Sequence, residues 1–168
     1  DQPPGVRVAV EPQQIPLASA AEIAHGRFNL LPQADYQIEA RLLARERYRL
    51  DAGAELAPLD FAVGWGPMSD NAVLGALGIS QSNRFFHLSW KQAPIPEQEM
   101  LHHASNMHLI AANDGVARRL DSMRAGQILR LEGKLVRATR DDGWQWNTSL
   151  SRTDTGTGAC ELMWVTDA

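Results

Sequence analysis

The sequence holds a single cysteine, Cys160, in 168 residues. One thiol excludes an intrachain disulfide framework and a cysteine-rich zinc site. The fold must therefore rest on apolar burial, for which the chain is long enough. No run approaches about 18 consecutive apolar residues, so no helix read from the sequence spans a bilayer. An excess of positive charge is missing too: the formal net charge is −4, whereas nucleic-acid binders usually present a basic face. Neither an internal repeat nor a low-complexity segment occurs. Metal-site spacings such as Cys-x-x-Cys and His-Glu-x-x-His are lacking as well, so no metal ion and no cofactor is expected.

A hydrophobic content of 44% and a charged content of 21% are those of an ordinary globular chain. The length suits one α+β domain over 21–168, preceded by an extended arm over 1–20. Pro3, Pro4, Pro12 and Pro16 keep that arm out of regular structure, apart from a short edge strand expected at Val6–Val10. The chain opens at Asp1 rather than Met. A mature exported domain that has lost a signal or membrane anchor is expected to start so; a trimmed cytoplasmic chain would look the same.

Alternation dominates what is present. Tyr36, Ile38, Ala40, Leu42, Ala44, Tyr48 and Leu50 share one parity, and Gln37, Glu39, Arg41, Arg45, Arg47 and Arg49 the other. Helix formers abound there, yet two-residue periodicity held this long predicts a strand with one solvated face. Ser69 or Asp70 caps a predicted helix over 71–77, and Ile79–Trp90 reads as one strand. A short helix is expected over 97–103, broken at Ser105-Asn106, with a brief strand over 107–111. Asn113 caps a helix over 114–123, whose apolar stripe is Val116, Leu120 and Met123.

The last third predicts a closing sheet. Leu129, Leu131, Gly133 and Leu135 line one face of a strand, Asp141-Asp142-Gly143 turns it, and Trp144, Trp146, Thr148 and Leu150 return facing inward. Cys160–Thr166 carries apolar residues of both parities, the mark of a central strand. The fold expected is α+β and mainly antiparallel: a curved sheet or small, partly open barrel with two or three short helices.

Candidate chemistry is sparse. Asp154-Thr155-Gly156 matches an aspartic-protease tripeptide, but the strands such a lobe needs after it are missing, and a polar loop is expected instead. His103 and His108 are five residues apart, nearly opposite on a helix, so shared metal ligation would need a chain reversal between them. Cys160 with His103 or His108 and Asn106 is a conceivable thiol–imidazole–amide set. Opening an apolar strand, however, Cys160 is expected to be a buried thiol. Basic stripes (Arg41, Arg45, Arg47 and Arg49; Arg130, Lys134, Arg137 and Arg140) are interrupted by acids, which suits a solvated mixed-charge face.

Ser105–Asn113, Gly126–Gly133, Arg152–Glu161 and Asp60–Gly66 resemble parts of an uncharacterised family of bacterial exported or membrane-anchored domains. The resemblance spans roughly residues 36–166. It implies a periplasmic or envelope-side location and carries no activity or catalytic residue. The Gly-x-x-x-x-Leu-x-Gly rhythm at Gly126–Gly133 is also similar to the first strands of small oligonucleotide/oligosaccharide-binding barrels. The leading expectation is a non-enzymatic envelope module that binds a partner protein or small ligand where Trp65, His103, Asn106, His108, Arg152 and Asp154 converge. The alternatives are a hydrolase using Cys160 or a histidine-bound metal, and a barrel face that binds single-stranded nucleic acid or glycan.

Overall fold

A computed structural model describes residues 5–150 and 160–168. Its organising element is β3 (Phe28–Arg47), a 20-residue strand. From Phe28 to Leu42 every even position is buried, as the alternation predicts. The strand begins earlier than the pattern at Tyr36 suggested, because Pro32 is tolerated at an irregularity: the pairing register slips between Pro32 and Ala34.

Two short strands, β1 (Gln13–Pro16) and β2 (Ile23–His25), pair with the first part of β3. The last part pairs antiparallel with β4 (Leu59–Gly64), which pairs in turn with β7 (Ala104–Ala111). After β7 come α3 (Asp114–Ser122), β8 (Ile128–Arg140), β9 (Gln145–Asn147) and β10 (Glu161–Asp167). β10 lies parallel to β7 and antiparallel to β8, while β8 pairs with β3 over Phe28–Arg41. The pairings β3–β4–β7–β10–β8 thus return to β3, giving a large, mostly antiparallel mixed sheet with a ring-like closure.

Alternate residues of these five strands build the main core, including Tyr36, Ile38, Phe61, Met107, Leu131, Met163 and Val165. Val116 and Leu120 of α3 join it, and Asn113 caps that helix by accepting the Val116 N–H at 3.0 Å. The other face of the same strands, with Ile110 and Leu162, builds a second cluster against which Trp144, Trp146 and Trp164 pack. β10 therefore buries both faces, as its double-parity pattern predicts.

Between β4 and β7 lies an insertion with its own small cluster around Met68, Val73 and Met100. It comprises a 3-10 turn (Gly66–Ser69), α1 (Asn71–Leu74), β5 (Gly78–Ser82), β6 (Phe85–Ser89) and α2 (Glu97–His102). Among the described residues no helix is long and apolar enough to cross a membrane.

Several local expectations are corrected. Val6–Val10 forms no strand; the Val8 N–H bonds Ser69 Oγ and the Val8 carbonyl accepts from the Gly66 N–H, so its backbone clasps a turn instead of a ladder. Ile79–Trp90 is a hairpin rather than one strand. Asn83 and Arg84 turn it with φ of 51° and 69°, a two-residue reversal without the usual glycine. Ser105-Asn106 lies inside β7, so no break separates α2 from that strand. The first helix of the insertion ends at Leu74, short of Leu77. The return strand is only three residues long.

Candidate functional site

The site grows from one strand pair. Asp60 of β4 stands opposite His108 of β7, and Ala62 opposite Asn106. Phe61, Met107 and Leu109 alternate into the main core, so Asp60, Asn106 and His108 face the other way. Asp60 is fully buried. A buried carboxylate is tolerated only with full pairing, and Asp60 accepts from Arg84 Nη1 (2.6 Å), His108 Nδ1 (2.9 Å) and Asn106 Nδ2 (3.1 Å).

The β5–β6 hairpin supplies the cation. Arg84 sits at its tip in the left-handed region, which costs a side chain with a Cβ roughly 1–2 kcal/mol. Its guanidinium is forked onto Asp51 through Nε (2.7 Å) and Nη2 (3.0 Å), while Nη1 also reaches the Ala57 carbonyl at 2.7 Å. The Arg84 N–H bonds Tyr48 Oη at 3.0 Å, and the Arg84 carbonyl accepts from Asn106 Nδ2 at 2.9 Å. Burial disfavours the Arg84 charge, but Asp51 and Asp60 together raise its pKa above the ordinary value. The same fork holds the Asp51 carboxyl below its usual range.

Aromatic rings close the arrangement. The Arg84 guanidinium lies 4.2 Å from the Tyr48 ring centroid and 5.0 Å from that of Trp146. Trp146 packs on His108 at 4.8 Å and meets Trp144 edge-on at 6.0 Å. Gly53 has no Cβ for a structural reason: one placed there would lie 2.3 Å from the Trp146 ring. Over this floor opens a cleft of about 400 Å³, lined by Asp51–Gly53, Arg84, Phe85, His108, Trp144–Asn147 and Cys160.

Cys160 contributes a thiol rather than a thiolate. Burial, reinforced by Glu161 and Asp60, pushes its pKa up to about 12, and Sγ lies 3.8 Å from the Arg84 carbonyl as a weak donor. His108 commits Nδ1 to Asp60, and its Nε2 has no hydrogen-bond partner among the described residues. These groups make a preorganised polar floor with one open imidazole nitrogen.

Of the six residues expected to converge, two meet here, Asn106 and His108. Trp65 lies in the main core at 2% exposure, and its N–H bonds the His103 carbonyl at the far end of the β4–β7 pair. Gly66, φ +52°, lies against the His103 ring, whose Nδ1 donates to the Glu99 carbonyl at 2.7 Å. Arg152 and Asp154 lie outside the described residues, as does the whole tripeptide at 154–156. Among the described residues no group of three or more His, Cys, Asp or Glu is placed to hold a metal ion.

Pattern reading missed Arg84, Asp51 and Asp60. The available signal was Asp60 itself, a carboxylate inside the apolar run Leu59–Val63, which demands a distant cation. Most of the basic stripe residues are paired: Arg45 and Arg47 with Asp121, Arg130 with Glu132, Lys134 with Asp35, and Arg140 with Asp142. Comparison with protein-family models, curated proteins and solved structures finds no match.

Proposed function

We propose that this chain is a non-enzymatic binding module and that the cleft over Asp60 is its ligand site. The observation that carries this reading is a pair of half-buried tryptophans lining a cleft whose floor is already satisfied by internal ion pairs. A floor of that kind presents a fixed shape and needs no rearrangement to receive a ligand. Its volume lies in the range of small-molecule sites.

The ring order supports the same reading. Five strands pair as first–second–third–fifth–fourth–first, the third and fifth are parallel, and a helix joins the third to the fourth. We infer that this order is related to that of the oligonucleotide/oligosaccharide-binding folds although the sheet is not a barrel; in those folds ligands lie across the second and third strands and against the loops after the first and fourth. The cleft takes His108 from the third strand, Asp51–Gly53 from the first loop and Trp144–Asn147 from the second. Fold alone does not assign a ligand. An envelope location rests on the sequence resemblance. The rival thiol hydrolase is disfavoured by a pKa of about 12 at Cys160, which leaves almost no thiolate near neutrality.

Amide-shift NMR with a library of small aromatic, peptide-like and sugar fragments tests the reading. Hits are expected to move Gly53, Arg84, His108, Trp146 and Cys160 together. Hits that gather elsewhere, or a library without hits, overturn it.

A further inference from the structure

Resting on that binding-module reading, we propose that the cleft takes a neutral, hydroxyl-rich ring, a sugar unit of a glycan, rather than a phosphate-bearing ligand. Charge decides first. The one arginine or lysine among the described lining residues, Arg84, is engaged by Asp51 on one side and by the buried Asp60 on the other. Cys160 keeps its proton and adds no charge. Asp51, Asp60 and Arg84 together carry one more negative charge than positive. An anion entering here meets Asp51 and finds no uncommitted cation among the described lining residues, and desolvating it without one is costly. Outside the lining, Arg140 lies over Trp144 and is itself forked onto Asp142 through Nε (3.0 Å) and Nη2 (2.8 Å), while Arg137 donates to Gln145 Oε1 (2.9 Å) and has no carboxylate partner among the described residues.

What the cleft does offer matches a sugar. The apolar face of a pyranose packs on an aromatic ring, and Trp144 and Trp146, near perpendicular at 77°, give two walls for such contact. Vicinal hydroxyls are each donor and acceptor, and they pair with planar groups that present both. The Asn147 side chain has no internal hydrogen bond among the described residues, Gln145 uses only its carbonyl oxygen, toward Arg137, and His108 Nε2 is open. The Asp51 carboxylate, 38% exposed, retains acceptor capacity beyond its Arg84 fork. A purely apolar ligand would leave these groups desolvated without partners.

Tryptophan-fluorescence titration and amide-shift NMR of the 168-residue chain test the proposal, with short neutral oligosaccharides of glucose and of N-acetylglucosamine, a short oligothymidylate, and inorganic phosphate as probes. A saturable response to at least one neutral oligosaccharide, independent of salt and mapped to Gly53, His108 and Trp146, is expected. Asn147→Ala, which removes an exposed side chain without an internal bond, is expected to weaken that binding at least about tenfold with an unchanged thermal melt. Should oligothymidylate or phosphate move those residues in a salt-dependent way while the saccharides do not, the sugar assignment falls and the cleft reading stands. Silence from every saccharide likewise overturns the sugar assignment; if the fragment library is silent at the cleft as well, the binding-module reading falls with it.

Discussion

Consecutive residues of β4 and β7 belong to two different chemistries. Phe61, Val63, Met107 and Leu109 face a core of some twenty apolar side chains, and Asp60, Asn106 and His108 face a network closed by one arginine. The inner face is held by area: each large side chain contributes about 1.5–3 kcal/mol, and neighbours share the load. The outer face is held by geometry. Removing one partner there leaves another buried and unmatched, so the loss far exceeds the net worth of any single bond. A core position is tolerant because its interaction has no direction; Asp60 is intolerant because its three bonds converge on one carboxylate.

The largest expected effect follows. Asp60→Ala should destabilise the protein by about 3–5 kcal/mol, since it leaves the buried His108 and Asn106 without their carboxylate and the partly buried Arg84 with only its Asp51 fork. Urea unfolding checks this, and a loss under about 1 kcal/mol would show the outer network to be incidental. On the inner face Leu131→Ala should cost about 2–5 kcal/mol through cavity formation. Double variants separate the two modes. Asp60→Ala with Leu131→Ala should add to within about 0.5 kcal/mol, whereas Asp60→Ala with Arg84→Ala should fall short of additivity by about 0.5–3 kcal/mol.

The contrast also explains what was legible in the sequence. Alternation is local, so β3, the strand from Ile128, the Asn113 cap and the two-faced β10 could all be read directly. The Asp60–Arg84 pair joins residues 24 positions apart across an insertion, and no periodicity encodes such a pairing. The Asn83-Arg84 turn was hidden for the same reason: its left-handed arginine is held by distant carboxylates, and local propensity disfavours it. Trp65 misled in the opposite direction. It was expected among the ligand contacts, yet Gly66 meets the needs of a positive φ and a close His103 ring, and the indole is core. Of the candidate site, Asn106, His108 and the tryptophan-bearing return were visible as residues. Their convergence was not.

Cys160 tests whether the outer face is as closed to solvent as the inner one. With the thiol pKa at about 12 against an ordinary 9.0, alkylation of the native protein near pH 8 should be much slower than that of the urea-unfolded chain. Rapid native alkylation would overturn the assignment of Cys160 as a half-buried, protonated thiol. The linkage has a definite sign. Between pH 9 and 12 the unfolded chain releases this proton while the folded protein keeps it. The thiol's contribution to stability is therefore complete below about pH 9 and is lost as pH rises toward 12. Cys160→Ala should flatten that part of the stability profile.

The smallest effect dissects the hairpin tip that joins the two chemistries. Arg84→Ala and Arg84→Gly both delete the fork onto Asp51 and the contact with Asp60, so most of their cost is common. They differ at φ 69°: alanine retains a Cβ that the left-handed region disfavours, and glycine does not. Glycine's looser unfolded state offsets part of the relief, leaving Arg84→Gly more stable than Arg84→Ala by about 0.5–1 kcal/mol. Equal stabilities would mean that the turn carries no strain, and that Arg84 is placed by its hairpin and merely meets the carboxylates. The expected difference instead means that Asp51 and Asp60 hold an arginine in a conformation its own backbone resists, so the floor of the cleft is set by the charges beneath it.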